Sequence, residues 1–292
     1  MNNLCKSVKS AESACHVVVR TINSGYVMAE NILTRILAHK KIEVRERKAQ
    51  LPPSELEVLL ALQSPARSLT AALHRAPGMG VIAEIKKASP SAGLIRPDFH
   101  PETIAGQYRA GGADALSVIT DRHFFQGALE FIPRIRHLVD IPLLRKEFVV
   151  DTYQILEARA FGADALLLIV AALAPETLGE MVAYTRELGM EALVEVHDEA
   201  ELAIALAQGA NLVGVNNRDL ISFRVDLAVT ERLARLVPPE VTLVAESGIS
   251  SAADVRRMQR AGAKAMLVGT HLMRRPDPGV ALAELKSYIQ KN

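Results

Sequence analysis

The feature that most constrains the fold is the regular alternation of short apolar runs with amphipathic helical patterns from residue 81 onward. Strands that are apolar along their whole length are typical of a parallel sheet, whose two faces are both covered by the intervening helices. The predicted strands are Val81–Lys86, Ala115–Thr120, Pro142–Lys146, Ala165–Val170, Ala192–Val196, Leu212–Asn216, Thr242–Ala245 and Ala265–Gly269.

A weak internal repeat indicates how these strands are arranged. Four glycine-led tripeptides, each expected to end a helix and lead into a strand, begin at Gly112, Gly162, Gly209 and Gly262. Glycine favours the left-handed conformation found at helix C-termini. Four βαβα units give eight strands, the number that closes a barrel. We therefore predict an α/β fold, a (β/α)8 TIM barrel; an open doubly wound sheet shares the local signals and is the alternative.

A helical prelude precedes the barrel, over about residues 30–75. Apolar residues at helical spacing begin at Ile32 and are followed by a charged stretch over 40–48. Ser54-x-x-Glu57 predicts a capping box that opens a second helix. Ser64-Pro65 predicts the N-cap and first-turn proline of a third helix.

Further helix starts are expected inside the barrel. Pro101 and Pro175 stand where a first-turn proline belongs, and Asp198-x-x-Glu201 reads as a capping box. These signals place helices after the predicted strands, as the barrel requires.

The domain organisation follows from composition along the chain. Residues 1–27 are polar and aperiodic, which predicts a poorly ordered N-terminal extension. Residues 28–292 are predicted to form a single (β/α)8 barrel domain that includes the prelude, because one such barrel needs about 250 residues.

Composition argues against several functional classes. The net charge of +1 gives no reason to expect nucleic acid or a membrane surface as partner, and no apolar run approaches the ~20 residues of a membrane span. The two cysteines, Cys5 and Cys15, are interpreted as ordinary thiols in a reducing cytosol. The eight histidines show no ligand spacing. We expect a cytoplasmic protein without a metal site.

Charged residues inside apolar strands are the candidates for chemistry. The active site of such a barrel lies at the C-terminal ends of its strands, where Glu84, Lys86, Lys146 and Glu195 stand. Alternation places Glu84 and Lys86 on the same side of their strand. An internal salt-bridge layer would explain one such pair. Four charges at one mouth instead favour an acid and a base with mutually shifted pKa values.

Small residues at the ends of strands seven and eight predict an anion site. Ser247-Gly248 and Gly269-Thr270 let backbone N–H groups approach a phosphate closely, as barrels commonly arrange at these two loops. The glycines could otherwise serve only as tight strand–helix turns.

The loops between these strands carry aromatic and charged residues of less specific meaning. Asp121, Arg122 and His123 are interpreted as solvated loop residues. Phe124, Phe125 and Phe148 could form an aromatic wall at the mouth, although loop aromatics often simply pack.

With these residues placed, the chain is similar to the indole-3-glycerol-phosphate synthase family over about residues 28–290. The likeness lies in an ordered set of motifs that is highly specific in combination. These motifs are Ile32-Leu33-x-Arg35-Ile36, Glu43-Val44-x-x-Arg47-Lys48, Ala83-Glu84-Ile85-Lys86-Lys87-Ala88-Ser89-Pro90-Ser91, Leu116-Ser117-Val118-Ile119-Thr120-Asp121, Phe125-Gln126-Gly127, Leu144-Arg145-Lys146-Glu147-Phe148, Gly214-Val215-Asn216-Asn217-Arg218-Asp219-Leu220 and Ala245-Glu246-Ser247-Gly248-Ile249.

The resemblance implies a decarboxylating, dehydrating ring closure in tryptophan biosynthesis. The substrate would be a sugar phosphate carrying an anthranilate group, 1-(2-carboxyphenylamino)-1-deoxyribulose 5-phosphate, and the product indole-3-glycerol phosphate. No cofactor is implied, because carbon dioxide leaves once ring aromaticity is broken. The family's helical prelude closes over the active site. We expect a monomer, with a complex with other tryptophan-pathway enzymes left open.

The resemblance also implies roles for individual residues. Lys146 would be the general acid, Glu195 the proton acceptor in the dehydration, Glu84 the partner of the anilino nitrogen, and Lys86 the contact of the substrate carboxylate. The catalytic group also includes Asn216 and Ser247, which orient substrate. The other matches are Ser89 and Arg218 beside the substrate, Gly248, Gly269 and Thr270 as the phosphate cradle, and Phe125, Phe148 and Leu167 as the apolar wall.

Two rival functions are consistent with the same residues. Another phosphate-binding barrel, such as phosphoribosylanthranilate isomerase, shares the strand-seven and strand-eight glycines but does not need the four charged residues. A non-catalytic phosphate-binding barrel would not need Lys146 for its function. The chain also lacks tryptophan, whereas some relatives place an aromatic in the first helix, so how the substrate ring is covered stays open.

Overall fold

Eight parallel strands close into a barrel in the computed structural model, which describes residues 31–290. The strands are β1 Gly80–Ile85, β2 Ala115–Ile119, β3 Leu143–Lys146, β4 Ala165–Ile169, β5 Glu191–Val196, β6 Leu212–Asn216, β7 Thr242–Glu246 and β8 Ala265–Val268. Each strand pairs with its neighbours in the chain, and β8 pairs with β1 from Gly80 opposite Ala265 onward. The barrel prediction is confirmed, and the open sheet is excluded.

Helices precede the barrel and follow its strands. The helices are α1 Ile32–Gln50, α2 Pro53–Ala61, α3 Leu69–Arg75, α4 Pro101–Ala110, α5 Phe131–Arg136, α6 Thr152–Ala160, α7 Pro175–Glu187, α8 Glu199–Ala207, α9 Ala228–Leu233, α10 Ala252–Ala261, α11 Thr270–Met273 and α12 Pro278–Ser287. A 3₁₀ turn spans Val170–Ala172, and a two-residue hairpin pairs Ala88–Ser89 with Gly93–Leu94. Every predicted strand boundary lies within one residue of the observed one.

The four glycines predicted at helix ends all adopt the left-handed conformation. Their φ angles are 87° at Gly112, 90° at Gly162, 81° at Gly209 and 97° at Gly262. A side chain at such angles would be strained, so glycine ends each helix and turns the chain into the next strand.

Two predicted starts in the prelude are wrong. α2 begins at Pro53 behind Pro52, and no side chain caps it, so the Ser54–Glu57 capping box does not form. α3 begins at Leu69 with Ser68 as its N-cap, so Ser64 and Pro65 precede the helix and do not open it. The segment before it is held against the barrel instead, because the backbone N–H of Arg67 donates to Asp164 Oδ1 at 2.8 Å.

The other predicted helix starts are confirmed, two of them fully and one in part. Pro101 and Pro175 each occupy the first turn of their helix. The Asp198 side chain accepts from the backbone N–H of Glu201 at 2.8 Å, but the Glu201 carboxylate accepts from the N–H of His197 rather than closing the box. Half of that capping box is therefore present.

The core has an inner and an outer layer. Inward-facing residues such as Ile82, Leu144 and Val244 fill the barrel, and Leu69 and Leu73 of α3 pack in the same cluster. The outer layer lies between the strands and the surrounding helices. Each fully buried Leu or Ile contributes about 1.5–3 kcal/mol. The first helix, α1, extends over the C-terminal ends of the strands.

Several predictions fall outside the described residues. These are the predicted poor ordering of residues 1–27 and the predicted thiol state of Cys5 and Cys15. The assignment of residues 28–292 to a single domain stays a prediction. Among the helices within residues 31–290, none combines the length and apolar character needed to cross a membrane.

Candidate active site

A cavity of about 460 Å³ lies at the C-terminal ends of the strands, a volume suited to a small molecule. All fourteen residues singled out from the sequence line it. Ile32, Leu33 and Ile36 of α1 line it as well, so the prelude covers the active-site end as expected.

Ammonium and carboxylate groups meet on the cavity floor. Lys146 Nζ lies 2.9 Å from Glu195 Oε2 and 3.4 Å from Glu246 Oε2. Lys86 Nζ lies 2.6 Å from Glu84 Oε2 on the neighbouring side of the barrel. Alternation along β1, β3, β5 and β7 turns all five side chains inward.

The charge state of this cluster follows from its burial and pairing. Burial alone lowers the pKa of Lys146, but the carboxylates of Glu195, Glu246 and Glu84 outweigh it and raise the pKa above the usual 10.5. Burial raises the pKa of Glu195, but Lys146 and then His197 reverse the effect and hold it below 4.5. At neutral pH the cavity floor therefore presents a protonated amine beside an ionised carboxylate.

Glu246 was missed as a site residue by the sequence analysis. Burial raises its pKa, Lys146 opposes this, and the nearby charges of Glu195 and Glu84 add to the rise, so that the pKa lies at about 7. Its Oε1 atom has no hydrogen-bond partner within the described residues. Side chains alternate along a strand and Val244 faces inward, so residue 246 also faces inward if the strand reaches it. The predicted strand ended at Ala245 and therefore left Glu246 out. Glu246 is thus a buried carboxyl that exchanges a proton near neutral pH.

Glu195 is oriented from three directions. Besides Lys146, the Asn216 side-chain amide donates to its Oε1 at 3.1 Å, and His197 Nε2 lies 3.4 Å from the same atom. Burial lowers the pKa of His197, but hydrogen bonds to Glu195 and Glu201 raise it to about 10. No spacing in the sequence marks this histidine, because its partners come from tertiary contacts and one helical turn.

Two glycines make room for the buried carboxylates. A Cβ atom at Gly214 would collide with Glu246 Oε1, and one at Gly269 would collide with Glu84 Oε2. Gly269 was selected from the sequence for anion approach. In the structure its lack of a side chain is also what allows Glu84 to turn into the cavity.

The opposite rim has the small residues predicted for an anion. Ser247 and Gly248 have successive positive φ angles of 64° and 82°, a backbone strain of about 1–3 kcal/mol for the serine. Asn217 holds this turn, since its side-chain amide donates to Glu246 O at 2.9 Å and Ser247 O at 3.2 Å. Across from them, Thr270 opens the short helix α11.

An apolar wall stands on the other side. The rings of Phe125 and Phe148 have centroids 5.9 Å apart, and Leu167 lies beside them in the cavity lining. Phe124 does not line the cavity: its ring packs on His123 and His39 at 4.7 and 5.7 Å. Phe124 and Phe125 are adjacent in the loop, but their rings point to different sides. The prediction that Phe124 belongs to the aromatic wall is therefore wrong.

Asp121 is not the solvated loop residue that the sequence suggested. It is 1% exposed, and its Oδ2 atom lies 3.0 Å from Nζ of Lys40, a lysine of α1. The prediction holds for Arg122 and His123, which are both exposed. A partner some eighty residues earlier in the chain left no local signal.

The remaining predicted residues lie at the rim. The backbone N–H of Arg218 donates to Asn216 Oδ1 at 3.0 Å, and its guanidinium donates to Phe223 O at 3.0 Å. Ser89 follows β1, where its hydroxyl accepts from the N–H of Ala92 at 3.2 Å. Both side chains are held at the cavity by neighbouring backbone.

A closed (β/α)8 barrel whose mouth joins paired acids and bases to an apolar wall and small-residue loops is typical of an enzyme that acts on small molecules. The model of the family described as indole-3-glycerol phosphate synthase matches residues 33–285. The chain belongs to this family of decarboxylating lyases.

Curated relatives are similar over nearly their whole length. An indole-3-glycerol phosphate synthase of Roseiflexus sp. (strain RS-1) is 47% identical over 264 residues, covering 88% of this chain and 98% of the relative. Those of Dehalococcoides mccartyi (strain 195) and Acidithiobacillus ferrooxidans (strain ATCC 53993) are 46% and 48% identical over 258 residues, each covering 87% of this chain and 99% and 98% of the relative.

Solved structures show the same fold at low identity. A 3-hexulose-6-phosphate synthase is 18% identical with a TM-score of 0.57, covering 73% of this chain and all of the other. The orotidine 5'-phosphate decarboxylase of Pyrococcus horikoshii is 12% identical with a TM-score of 0.55, covering 72% and 98%. These likenesses support the barrel alone.

Proposed function

We propose that this chain closes the ring of 1-(2-carboxyphenylamino)-1-deoxyribulose 5-phosphate, with loss of carbon dioxide and water, to give indole-3-glycerol phosphate. The observation that carries the proposal is the protonated amine of Lys146, held 2.9 Å from Glu195 at the floor of a cavity with an apolar wall and an anion cradle. Family membership supports it, and neither rival barrel function is favoured.

The two ends of such a substrate match the two sides of the cavity. Its aryl ring suits the wall of Phe125, Phe148 and Leu167, and its phosphate suits the turn at Ser247-Gly248 together with Gly269-Thr270. A substrate held at both ends places its ketone carbon near the floor, beside Lys146. Holding the reacting atoms in this way removes much of the entropic barrier to ring closure.

Lys146 acts as the general acid of the ring closure. Attack by the aryl carbon on the ketone develops negative charge on the ketone oxygen, and the ammonium donates a proton to it. The surrounding carboxylates keep the amine in the protonated form that this step needs. A positioned acid of this kind accelerates such a step by about 10²–10⁴-fold.

Carboxylates and the second lysine serve the other steps. Glu84 binds the anilino nitrogen, Lys86 contacts the substrate carboxylate, and Glu195 accepts the proton lost in the dehydration. Glu246, 3.4 Å from Lys146 and titrating near neutral pH, is placed to return a proton to the lysine. The residues that orient substrate are Ser89, Asn216, Arg218 and Ser247.

Carbon dioxide leaves from the ring carbon whose aromaticity the attack has broken, so the chemistry itself supplies the electron sink. The face of α1 carrying Ile32, Leu33 and Ile36 covers the cavity and limits the access of water. In a water-poor site, fixed charges stabilise developing charge more strongly than they do in solution.

Two finer expectations belong to the proposal. We expect the protein to work as a monomer on a freely diffusing cytoplasmic metabolite, with association with other pathway enzymes left to experiment. Sedimentation equilibrium of the purified chain tests the first point, since a mass near 31.7 kDa is expected.

The function is tested by mixing purified protein with the anilino-ribulose phosphate and following indole fluorescence. Wild type should form indole-3-glycerol phosphate, while Lys146→Ala and Glu195→Gln should lose most turnover and keep substrate binding. A wild type that forms no indole-3-glycerol phosphate contradicts the proposal, and activity on phosphoribosylanthranilate instead favours the isomerase. Full activity in Lys146→Ala supports a non-catalytic role for the cluster.

A further inference from the structure

A second buried lysine lies outside the catalytic cluster, on the helix that covers the cavity. Lys40 is 1% exposed and lies between Ile36 and Val44 on the buried stripe of α1. Its Nζ atom lies 2.9 Å from Glu43, 3.0 Å from Asp121 and 3.0 Å from Glu147. A lysine in this position is stable only because carboxylates replace the water it has lost.

Two of these carboxylates come from the barrel, and each also binds the loop that follows it. Asp121 Oδ1 accepts from the N–H groups of Phe124 at 2.7 Å and Phe125 at 3.2 Å. Glu147 Oε1 accepts from the N–H of Phe148 at 2.8 Å. One amine therefore joins α1 to the backbone of both rings of the apolar wall.

The charge balance makes this junction depend on the lysine. Burial alone lowers the pKa of Lys40, but Glu147, Asp121 and Glu43 reverse this and raise it above 10.5, so the amine stays cationic. Without it, the carboxylates of Asp121 and Glu147 would repel each other in a buried place. The two loops would then separate, and the rings they carry would move apart.

We propose that Lys40 is a positioning residue that sets the aromatic wall for the substrate's aryl ring, acting through Asp121 and Glu147 without touching substrate. This rests on the proposed function, in which Phe125 and Phe148 contact that ring. The anion cradle follows β7 and β8. Lys146 precedes Glu147 in β3, but its side chain faces the barrel interior and is held by Glu195 and Glu246, not by the tether. Loss of the tether should therefore weaken recognition of the ring and spare both phosphate binding and the chemical step.

The variants must separate the tether from folding. Lys40→Met alone leaves the buried Asp121 without a cation and Glu147 with only Arg145, 3.9 Å away, and can unfold the chain. The triple variant Lys40→Met/Asp121→Asn/Glu147→Gln removes the charges but keeps the side-chain oxygens that accept from the loop amides. The double variant Asp121→Asn/Glu147→Gln, in which Lys40 keeps its pair with Glu43 at 2.9 Å and amide oxygens replace the other two carboxylates, is the matched reference. Lys48→Met removes an exposed α1 pair, 2.8 Å from Asp151, and is the second control.

Steady-state kinetics give the first readout. Relative to the double variant, the triple variant should raise KM about ten-fold while kcat stays within about two-fold, as expected when uniform binding is lost. The constant for competitive inhibition by inorganic phosphate should also stay within about two-fold. Lys48→Met should match wild type throughout. An unchanged KM, or equal losses of ring and phosphate binding, overturns the proposal.

Hydrogen exchange gives a readout that does not need turnover. Amides of residues 121–126 and 147–149 should exchange faster in the triple variant than in the double variant, with no change in Lys48→Met. If wild type forms no indole-3-glycerol phosphate, the proposed function fails, and unchanged exchange in these two loops then overturns the tether separately. If wild type is active and both KM and exchange are unchanged, only the tether is wrong.

Discussion

Arg145 and Lys146 are consecutive residues of β3 with the same charge, yet they face opposite sides of the barrel wall. Arg145, 3% exposed, faces the helices. It donates to Glu157 Oε2 at 2.8 Å, Gln154 O at 2.9 Å and Thr120 Oγ1 at 3.2 Å. Lys146 faces the cavity, where it contacts Glu195 and Glu246.

The difference shows that burial and pairing do not by themselves mark a catalytic group. Each guanidinium nitrogen of Arg145 has a protein acceptor, so this side chain fastens β3 to α6 and β2. Lys146 and the carboxylates that pair with it line a cavity large enough for a substrate. One of these carboxylates, Glu246, has a pKa of about 7. The outward charge is structural, and the inward charge is available for chemistry.

The largest expected effect is on turnover when the inward charge is removed. Lys146→Ala should lower kcat/KM by about 10²–10⁴-fold because the general acid is lost. The fold should survive, since Glu195 keeps Asn216 and His197 and Glu246 can take up a proton. Indole fluorescence measures the rate, and circular dichroism measures unfolding. A variant that unfolds without having lost kcat would break the comparison.

Removing the outward charge should act on stability instead. Arg145→Met is expected to lower the free energy of unfolding by about 3–5 kcal/mol, because Glu157 and the Gln154 carbonyl lose a buried partner. Glu157 retains Arg47 at 2.7 Å, which favours the lower end. Urea unfolding measures the loss, and kcat per folded molecule should stay near wild type. A fall in kcat at unchanged stability would assign Arg145 to the chemistry.

Glu246 gives the inward side its own pH dependence. Its pKa is about 7 in the folded chain against an ordinary 4.5, so the folded state holds the proton more tightly. This stabilising contribution is complete below pH 4.5 and is lost as pH rises to 7. Stability of wild type relative to Glu246→Gln should therefore fall by about 1–3 kcal/mol over that window and level off above it. Urea unfolding at several pH values measures this, and a flat difference contradicts it.

An exposed pair should matter least. Lys48 is 41% exposed in its pair with Asp151, and Lys48→Met should change the free energy of unfolding by less than about 1 kcal/mol. The pair is screened by water and salt, unlike that of Arg145. Urea unfolding at low and high salt checks this, and a loss comparable to Arg145→Met would show that burial is not the deciding variable.

The strands could be predicted from sequence because each is a short, mainly apolar run between helical patterns, and four of them follow a glycine that ends a helix. Helix starts were less predictable. Ser64-Pro65 has a strong local signal, but the Arg67 N–H binds Asp164, 97 residues away, and that contact fixes the segment. A local capping bond contributes about 1 kcal/mol, which a tertiary contact readily overrides.

The residues of the site were likewise predictable only where the local sequence marks them. Charges within apolar strands stand out, so Glu84, Lys86, Lys146 and Glu195 could be selected from sequence and do converge. Glu246 was missed because it extends its strand by one residue. Asp121 was misjudged because its partner, Lys40, belongs to a helix outside the barrel. Burial of a loop charge depends on what covers the loop, and local sequence does not record that.

Chemical rescue tests the assignment of Lys146 most directly. Removing this side chain as alanine leaves a space beside Glu195, which methylammonium is small enough to enter. Lys146→Ala should regain formation of indole-3-glycerol phosphate in proportion to added methylammonium until the space is filled, whereas tetramethylammonium, which has no proton to donate, should give none. Equal rates with both cations, or no response to either, would contradict the role of a protonated amine at this position.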